Sequence, residues 1–281
     1  MRESIAGADL HRIQQTVKWI VYALLIANFG VYIYEDVDRA LHTLTGASTL
    51  LDWTGEFATT LDTTAWLVLL AMFEIETYTL EDRQWRGWIE KTVHGVRILC
   101  YLMIAHTVFA YAVTALDYAA TRPVADAASL CDLADDDLTF VYNLEYTAVT
   151  DENCAALSDA SAFYYLGDNP LVSTEAGLAL ERRLAWGDVI EAITWLVIIF
   201  AIEFVVRQQG RGVTGGALMT SAKALKLFGY AILFVLAGWW AYLGHWIYTW
   251  DTFVWIAGFA AIEMNVHEWR DELLDEREQA A

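Results

Sequence analysis

The sequence predicts an all-α polytopic membrane protein with about six transmembrane helices, arranged as three helical hairpins, and a small acidic extracytoplasmic insert. Two observations carry this prediction: 57% of the 281 residues are hydrophobic, and they gather in six long apolar runs. A bilayer core about 30 Å thick needs roughly 20 helical residues to cross it. Barrel strands would be alternating segments of about 10 residues, and these runs are longer and continuously apolar.

The six runs divide the chain into membrane and non-membrane parts. They are Val17–Tyr34, Thr63–Leu80, Val93–Leu116, Val189–Val206, Ala224–Tyr248 and Thr252–Val266. The expected domains are an amphipathic cytoplasmic lead-in (1–16), transmembrane helices 1–3 (17–117), an extracytoplasmic insert (118–187), transmembrane helices 4–6 (188–267) and a cytoplasmic tail (268–281). Runs two and six are the shortest and carry Glu74, Glu76 and Glu263, so they are the weaker span assignments.

Lysine and arginine placement predicts the orientation. They concentrate in the N-terminal arm, after run two and after run four: Arg2, Arg12, Lys18, Arg83, Arg86, Lys91, Arg97, Arg207, Arg211, Lys223 and Lys226. Short loops rich in Lys and Arg stay in the cytoplasm. We therefore expect a multi-pass protein of the inner (plasma) membrane with both termini cytoplasmic.

The insert between runs three and four contains two cysteines, Cys131 and Cys154, on the expected outer side. Because that compartment oxidises thiols, the sequence predicts a disulfide between them. Cys100 lies inside run three and is expected to fill apolar space. The insert's own fold stays open at this stage, between a short helix and a hairpin.

Acidic residues dominate the insert, and the whole chain has a formal net charge of −20. The run Asp135-Asp136-Asp137 lacks the central Gly and terminal Glu of an EF-hand loop, so no metal site is predicted there. An acidic outer surface raises the local concentration of cations. The same charge excludes nucleic acid as a partner, because phosphates demand a basic face.

A pattern recurs in the three pairs of runs. Each odd run opens with a basic residue followed four places later by Tyr, and each even run ends in Ile-Glu: Lys18, Arg97 and Lys226; Glu76, Glu203 and Glu263. Two explanations remain open. One is a triplicated two-helix unit. The other is convergence, since basic residues and Tyr belong at membrane boundaries.

The repeated glutamates lie well inside the inner leaflet, roughly 18–22 Å from the outer boundary at ~1.5 Å per residue. Carboxylates at such depth are costly unless they are paired or hydrated. One interpretation is bundle-locking ion pairs of Lys18 with Glu76, Arg97 with Glu203 and Lys226 with Glu263. The other is an ion or proton path along the three glutamates and Glu74. His106, deep in run three, is a candidate proton relay because His titrates near neutral pH.

The sequence contains no metal-binding His cluster, nucleophile elbow or cofactor fingerprint, so we expect neither an enzyme nor a cofactor. The favoured hypothesis is a channel or transporter for a small cation, protons included, working as a homo-oligomer in the lipid bilayer. The alternative is a non-catalytic accessory or scaffold subunit of a larger membrane complex.

Overall fold

The computed structural model describes residues 2–75, 87–124, 129–158, 162–167, 169–210 and 215–259. The described residues form two compact units. One is drawn from Val31–Phe200, and the other from Met1–Gly30 together with Ala201–Ala281. Each unit is considered by itself below.

Helices make up most of the chain. They are α1 (Arg2–Thr43), α2 (Leu50–Glu56), α3 (Ala58–Glu74), α4 (Trp88–Ala119), α5 (Cys154–Leu157), α6 (Glu175–Gly210), α7 (Ala217–Leu243) and α8 (residues 246–259). The lead-in and run one are thus parts of one continuous helix, α1. A 3₁₀ helix, Leu130–Leu133, precedes the strands that follow in the insert.

Three helical segments are long and apolar enough to cross a membrane by length and composition: Gln15–Thr43, Lys91–Ala119 and Ala217–Leu243. They correspond to predicted runs one, three and five. Run four lies in α6, and the apolar part of α3, Ala58–Met72, is shorter than a span. Parts of runs two and six, and the whole of the predicted cytoplasmic tail (268–281), lie outside the described residues. Six spans and the three-hairpin arrangement therefore stay predictions.

The insert contains a five-stranded sheet, which corrects the all-α expectation. Its strands are β1 (Arg122–Pro123), β2 (Thr139–Tyr142), β3 (Glu145–Ala148), β4 (Phe163–Tyr165) and β5 (Leu171–Thr174), in the spatial order β1-β4-β5-β2-β3. β2 and β5 run parallel, and the other neighbours are antiparallel. Aromatic and β-branched residues dominate β2, β4 and β5, which suits a pleated, half-buried surface.

The two faces of the sheet bury different clusters, because successive strand residues point to opposite faces. Leu171 joins a cluster with Tyr118 of α4 and Val189 of α6, whereas Val172 joins one with Phe163 and Cys154. The first cluster fastens the sheet to the helices. The second is closed by the predicted Cys131–Cys154 disulfide, which the structure confirms.

Arg182 of α6 fixes the end of α4. Its guanidinium donates to the carbonyl oxygens of Tyr118 at 2.5 Å and Ala119 at 3.2 Å, and to the Thr121 hydroxyl at 2.7 Å. Carbonyls of a last helical turn lack intrahelical donors, and a cation suits them. This contact sets the first turns of α6 beside the C-terminal end of α4.

In the other unit, α7 and α8 pack against each other through a tight turn. Gly244 ends α7 in the left-handed region with φ 91°, which favours glycine. The Thr249 hydroxyl then donates to the Ala237 carbonyl at 3.0 Å, and the Phe234 and Phe253 rings lie 5.7 Å apart. The Asn28 amide of α1 donates to Asp251 at 2.7 Å. These contacts hold α1, α7 and α8 together.

Candidate functional site

The intramembrane glutamates predicted from the repeat pattern are only partly described. Glu76 and Glu263 lie outside the described residues, and Glu74 ends α3 half-buried. Glu203 forms an ion pair with Arg207 one turn further along α6, at 2.5 Å, and the Arg207 side chain is 70% exposed. Exposed pairs of this kind contribute little to stability. The proposed ion path through these glutamates stays a prediction.

The predicted basic partners and the histidine have definite places. Lys18 in α1 is buried, with its Nζ 5.8 Å from the centre of the Trp19 ring. Arg97 lies in α4 and Lys226 in α7. The His106 Nε2 atom is buried and has no hydrogen-bond partner among the residues that the structure describes. Its proposed relay role is not tested by this arrangement.

A polar cavity, which the sequence did not predict, lies within Val31–Phe200. Its volume is about 70 Å³, and it forms where α2, the C-terminal ends of α1 and α4, and the first turns of α6 meet the β2–β3 turn. Its lining includes Arg39, Thr43, Glu56, Tyr111, Asp117, Tyr118, Leu144, Tyr146, Asn169, Glu181 and Asp188. We call it the outer cavity. It holds several polar groups that converge on one space, as ligand sites do.

Helical spacing explains how α4 and α6 supply this lining. Glu181 and Asp188 are seven residues apart on α6, two turns along one face. Tyr111 and Tyr118 have the same spacing on α4. The Tyr111 hydroxyl is 3.1 Å from the Thr59 hydroxyl at the start of α3. Each helix therefore points one polar stripe, at the end of an apolar run, into the outer cavity.

Arg39 forms a charge-compensated side of the cavity. Its Nε donates to Glu56 at 2.9 Å, and its Nη2 donates to Asp36 at 3.0 Å and to the Glu56 carbonyl. The other Asp36 oxygen accepts the Thr60 N–H at 2.8 Å, near the start of α3. Carboxylates suit helix N-termini, where N–H groups lack intrahelical partners. Arg39 and Asp36 thereby tie α1 to α2 and α3.

Glu181 forms the opposite, uncompensated side. It is 1% exposed, and its Oε1 accepts the Leu144 N–H at 3.1 Å; the Asn143 N–H also donates to this carboxylate. Among the described residues, no Lys, Arg or His lies within ion-pair distance of it. Burial raises the pKa of Glu181 to about 7, and the two N–H donors counteract only part of that rise.

Asp188 lies two turns further along the same face of α6. Its side chain lines the outer cavity, as that of Glu181 does. No hydrogen-bond donor from the described part of the chain reaches its carboxylate. Two carboxyl groups without an ion-pair partner among the described residues thus share one cavity wall, as convergent polar groups do in ligand sites.

His42 fastens the end of α1 to the sheet beside the cavity. Its ring stacks on Tyr146 of β3, with centroids 6.0 Å apart and planes inclined by 12°, and its Nδ1 is 3.2 Å from the Thr139 hydroxyl of β2. Burial raises the pKa of Tyr146, so its phenol stays protonated and keeps an O–H donor at the cavity. The sheet of the insert and the end of α1 are therefore joined beside the cavity.

The lining carries four carboxyl groups, on Glu56, Asp117, Glu181 and Asp188, against the single guanidinium of Arg39. Within the described residues, no three His, Cys, Asp or Glu side chains converge as a metal site requires. The arrangement instead suits a cation broad enough to reach separated carboxyl groups, such as a hydrated ion or an ammonium group.

Sequence reasoning missed this site, although two signals pointed to it. Arg39 lies in a connection predicted to be extracytoplasmic, where the positive-inside rule makes basic residues scarce. Glu181 and Asp188 keep helical spacing just before run four. Comparisons offer no further guide: no family model, curated protein or solved structure matches the chain.

Proposed function

We propose that this chain is an integral membrane protein that binds a small cation in the outer cavity and passes it across the membrane as a channel or transporter. The observation that carries the proposal is the charge balance of the cavity. Arg39 is already neutralised by Asp36 and Glu56, so Glu181 and Asp188 face the same space without a counter-charge of their own.

A bound cation would satisfy this imbalance. Removing an ionised carboxylate from water is costly unless an opposite charge or a proton accompanies it. A cation in the cavity would supply that charge for Glu181 and Asp188 together. Asp135, Asp136 and Asp137 are exposed in the insert. Their negative charges add to the electrostatic field that attracts cations from solvent.

The membrane arrangement belongs to the proposal as well. Six spans with both termini in the cytoplasm of the inner membrane would place the outer cavity at the extracytoplasmic surface. The three apolar segments long enough to span support the membrane location, and the oxidised insert suits an outer position. Glu74, Glu76, Glu203, Glu263 and His106 remain the proposed continuation of the path.

Ion flux in proteoliposomes tests the proposal. Wild-type protein should pass Na⁺, K⁺, H⁺ or methylammonium, and Asp188→Asn should lower that flux at least tenfold, because it removes a cavity charge. Glu145→Gln is the matched control: Glu145 is exposed on β3 of the same domain and does not line the cavity. Absence of flux in wild type, or equal flux in both variants, would overturn the proposal.

One observation favours the second candidate function, an accessory or scaffold subunit. Between 22% and 28% of the residues in the three apolar windows are buried within the chain, so most of their residues are at least partly exposed. Such surfaces fit lipid or a partner helix. Purification from native membranes discriminates: a stoichiometric larger partner favours the scaffold, and a homo-oligomer with a central pore favours the channel.

A further inference from the structure

We propose that Glu181 exchanges a proton for the cation that the outer cavity binds, so that uptake of one monovalent cation releases one proton to the extracytoplasmic solvent. This inference rests on the proposed function and adds the regulation of the same site.

Glu181 is held where it cannot turn towards solvent. The side chain is 1% exposed, and the N–H groups of Asn143 and Leu144 both donate to it. These two residues form the two-residue turn between β2 and β3, with φ values of 55° and 63°. Such a turn leaves its central N–H groups outside the strand ladder, and the Glu181 carboxyl accepts both.

The charges that face Glu181 come from every element around the cavity, and acids prevail among them. Among the described residues that line the cavity, Arg39 of α1 is the one cation, and it forms ion pairs with Asp36 and Glu56. Tyr111, Asp117 and Tyr118 of α4, Tyr146 of β3 and Asp188 of α6 complete the titratable lining. Ionised Glu181 in an empty cavity therefore adds a negative charge to an already acidic wall.

Two occupants relieve that charge, and they exclude each other. A proton on Glu181 neutralises it from within the side chain, whereas a cation in the cavity neutralises it from outside. In the exchange step the Glu181 O–H bond breaks and its proton passes to water. The carboxylate oxygens then bind the cation, and nothing is oxidised or reduced. Because binding effects are reciprocal, protons must weaken cation binding as much as the cation weakens protonation.

The test measures cation binding and proton release on the purified full chain in detergent. Methylammonium is the first probe, because separated carboxyl groups suit an N–H donor, and Na⁺ is the second. In weak buffer at pH 6, a pH-sensitive dye should report about one proton released per cation bound. Between pH 5 and 7 the affinity should rise by up to tenfold per pH unit, the slope of a single-proton exchange.

Glu181→Gln should still bind the probe, through Asp188, but release no proton from position 181 and lose most of the pH slope. Glu145→Gln should behave as wild type. Binding without proton release, or an undiminished slope in Glu181→Gln, would overturn the exchange and leave the proposed function standing. Loss of the slope in Asp188→Asn but not in Glu181→Gln would also overturn it. If neither probe binds to wild type at any pH, the proposed function itself fails.

The proton count on wild type tests the inference even if Glu181→Gln fails to fold. Protection of the β2 and β5 amides from hydrogen exchange shows whether a variant keeps the sheet. A variant that keeps this protection and still shows the wild-type slope counts against the exchange.

Discussion

The two walls of the outer cavity contain the same kinds of groups and treat charge in opposite ways. On one wall, Arg39 is bonded to both Asp36 and Glu56, and Asp36 also accepts a helix N–H. On the other, Glu181 has backbone N–H donors but no cation within ion-pair distance among the described residues, and Asp188 has no donor there. The charges of the first wall are balanced within the folded chain, whereas those of the second wall are balanced only by a proton or a ligand.

This difference separates structural from functional ionisable groups. A satisfied ion pair joins α1 to α2 and α3 and needs nothing further. An unsatisfied carboxyl group lowers stability unless a bound species compensates it, so its presence in a buried position indicates a role in binding. The predictions below test each wall in turn, beginning with the largest effect.

Arg39→Met should lower the free energy of unfolding by about 3–5 kcal/mol, because it leaves Asp36 and Glu56 without their counter-charge. Unfolding in detergent, followed by tryptophan fluorescence, measures the change. Arg207→Met is the control, since its exposed pair with Glu203 should contribute less than about 1 kcal/mol. Equal losses of stability in the two variants would contradict the view that the ion pairs of Arg39 with Asp36 and Glu56 stabilise the fold.

The wild-type protein should be more stable at pH 5 than at pH 8 by about 2–3 kcal/mol, because Glu181 has a folded pKa of about 7 against an ordinary 4.5. Its contribution is full below about pH 4.5, where both states are protonated, and is lost as the pH rises through about 7.

The pH dependence can be assigned by substitution. Glu181→Gln should flatten the profile, and Glu145→Gln should run parallel to wild type. A free energy of unfolding that is constant or that rises between pH 5 and 8 would contradict our view that Glu181 is buried without a counter-charge.

Leu144→Gly should change stability least, by less than about 1 kcal/mol in either direction. Its φ of 63° is unfavourable for Leu by about 1 kcal/mol, and glycine relieves that strain while giving up a half-buried side chain. Leu41→Gly, at an exposed position of helix α1, is the control and should cost about 1 kcal/mol. If Leu144→Gly lowers stability more than Leu41→Gly, the Leu144 side chain, as well as its N–H, stabilises the cavity wall that contains Glu181.

The secondary structure of the insert shows where sequence reasoning stopped. Its strands are two to four residues long, too short for a clear alternating pattern. Their order is not sequential, and β2 pairs in parallel with β5 across about 30 intervening residues. Pairing at such separation depends on the tertiary fold, so the local pattern could suggest a hairpin but not a sheet. The predicted Cys131–Cys154 bridge, by contrast, needed only two cysteines in one outer segment.

The sequence by itself determined the apolar segments long enough to cross a membrane, the acidic character of the insert and its disulfide, because length, composition and cysteine number are local properties. Only the tertiary structure decided that Arg39, Glu56, Asp117, Glu181 and Asp188 share one cavity. They come from four helices, and the energy of a charge depends on its burial and neighbours rather than on its place in the chain. That dependence is why the intramembrane glutamates attracted notice in the sequence, while the cavity acids emerged only from the packing of α1, α2, α4 and α6 around the β2–β3 turn.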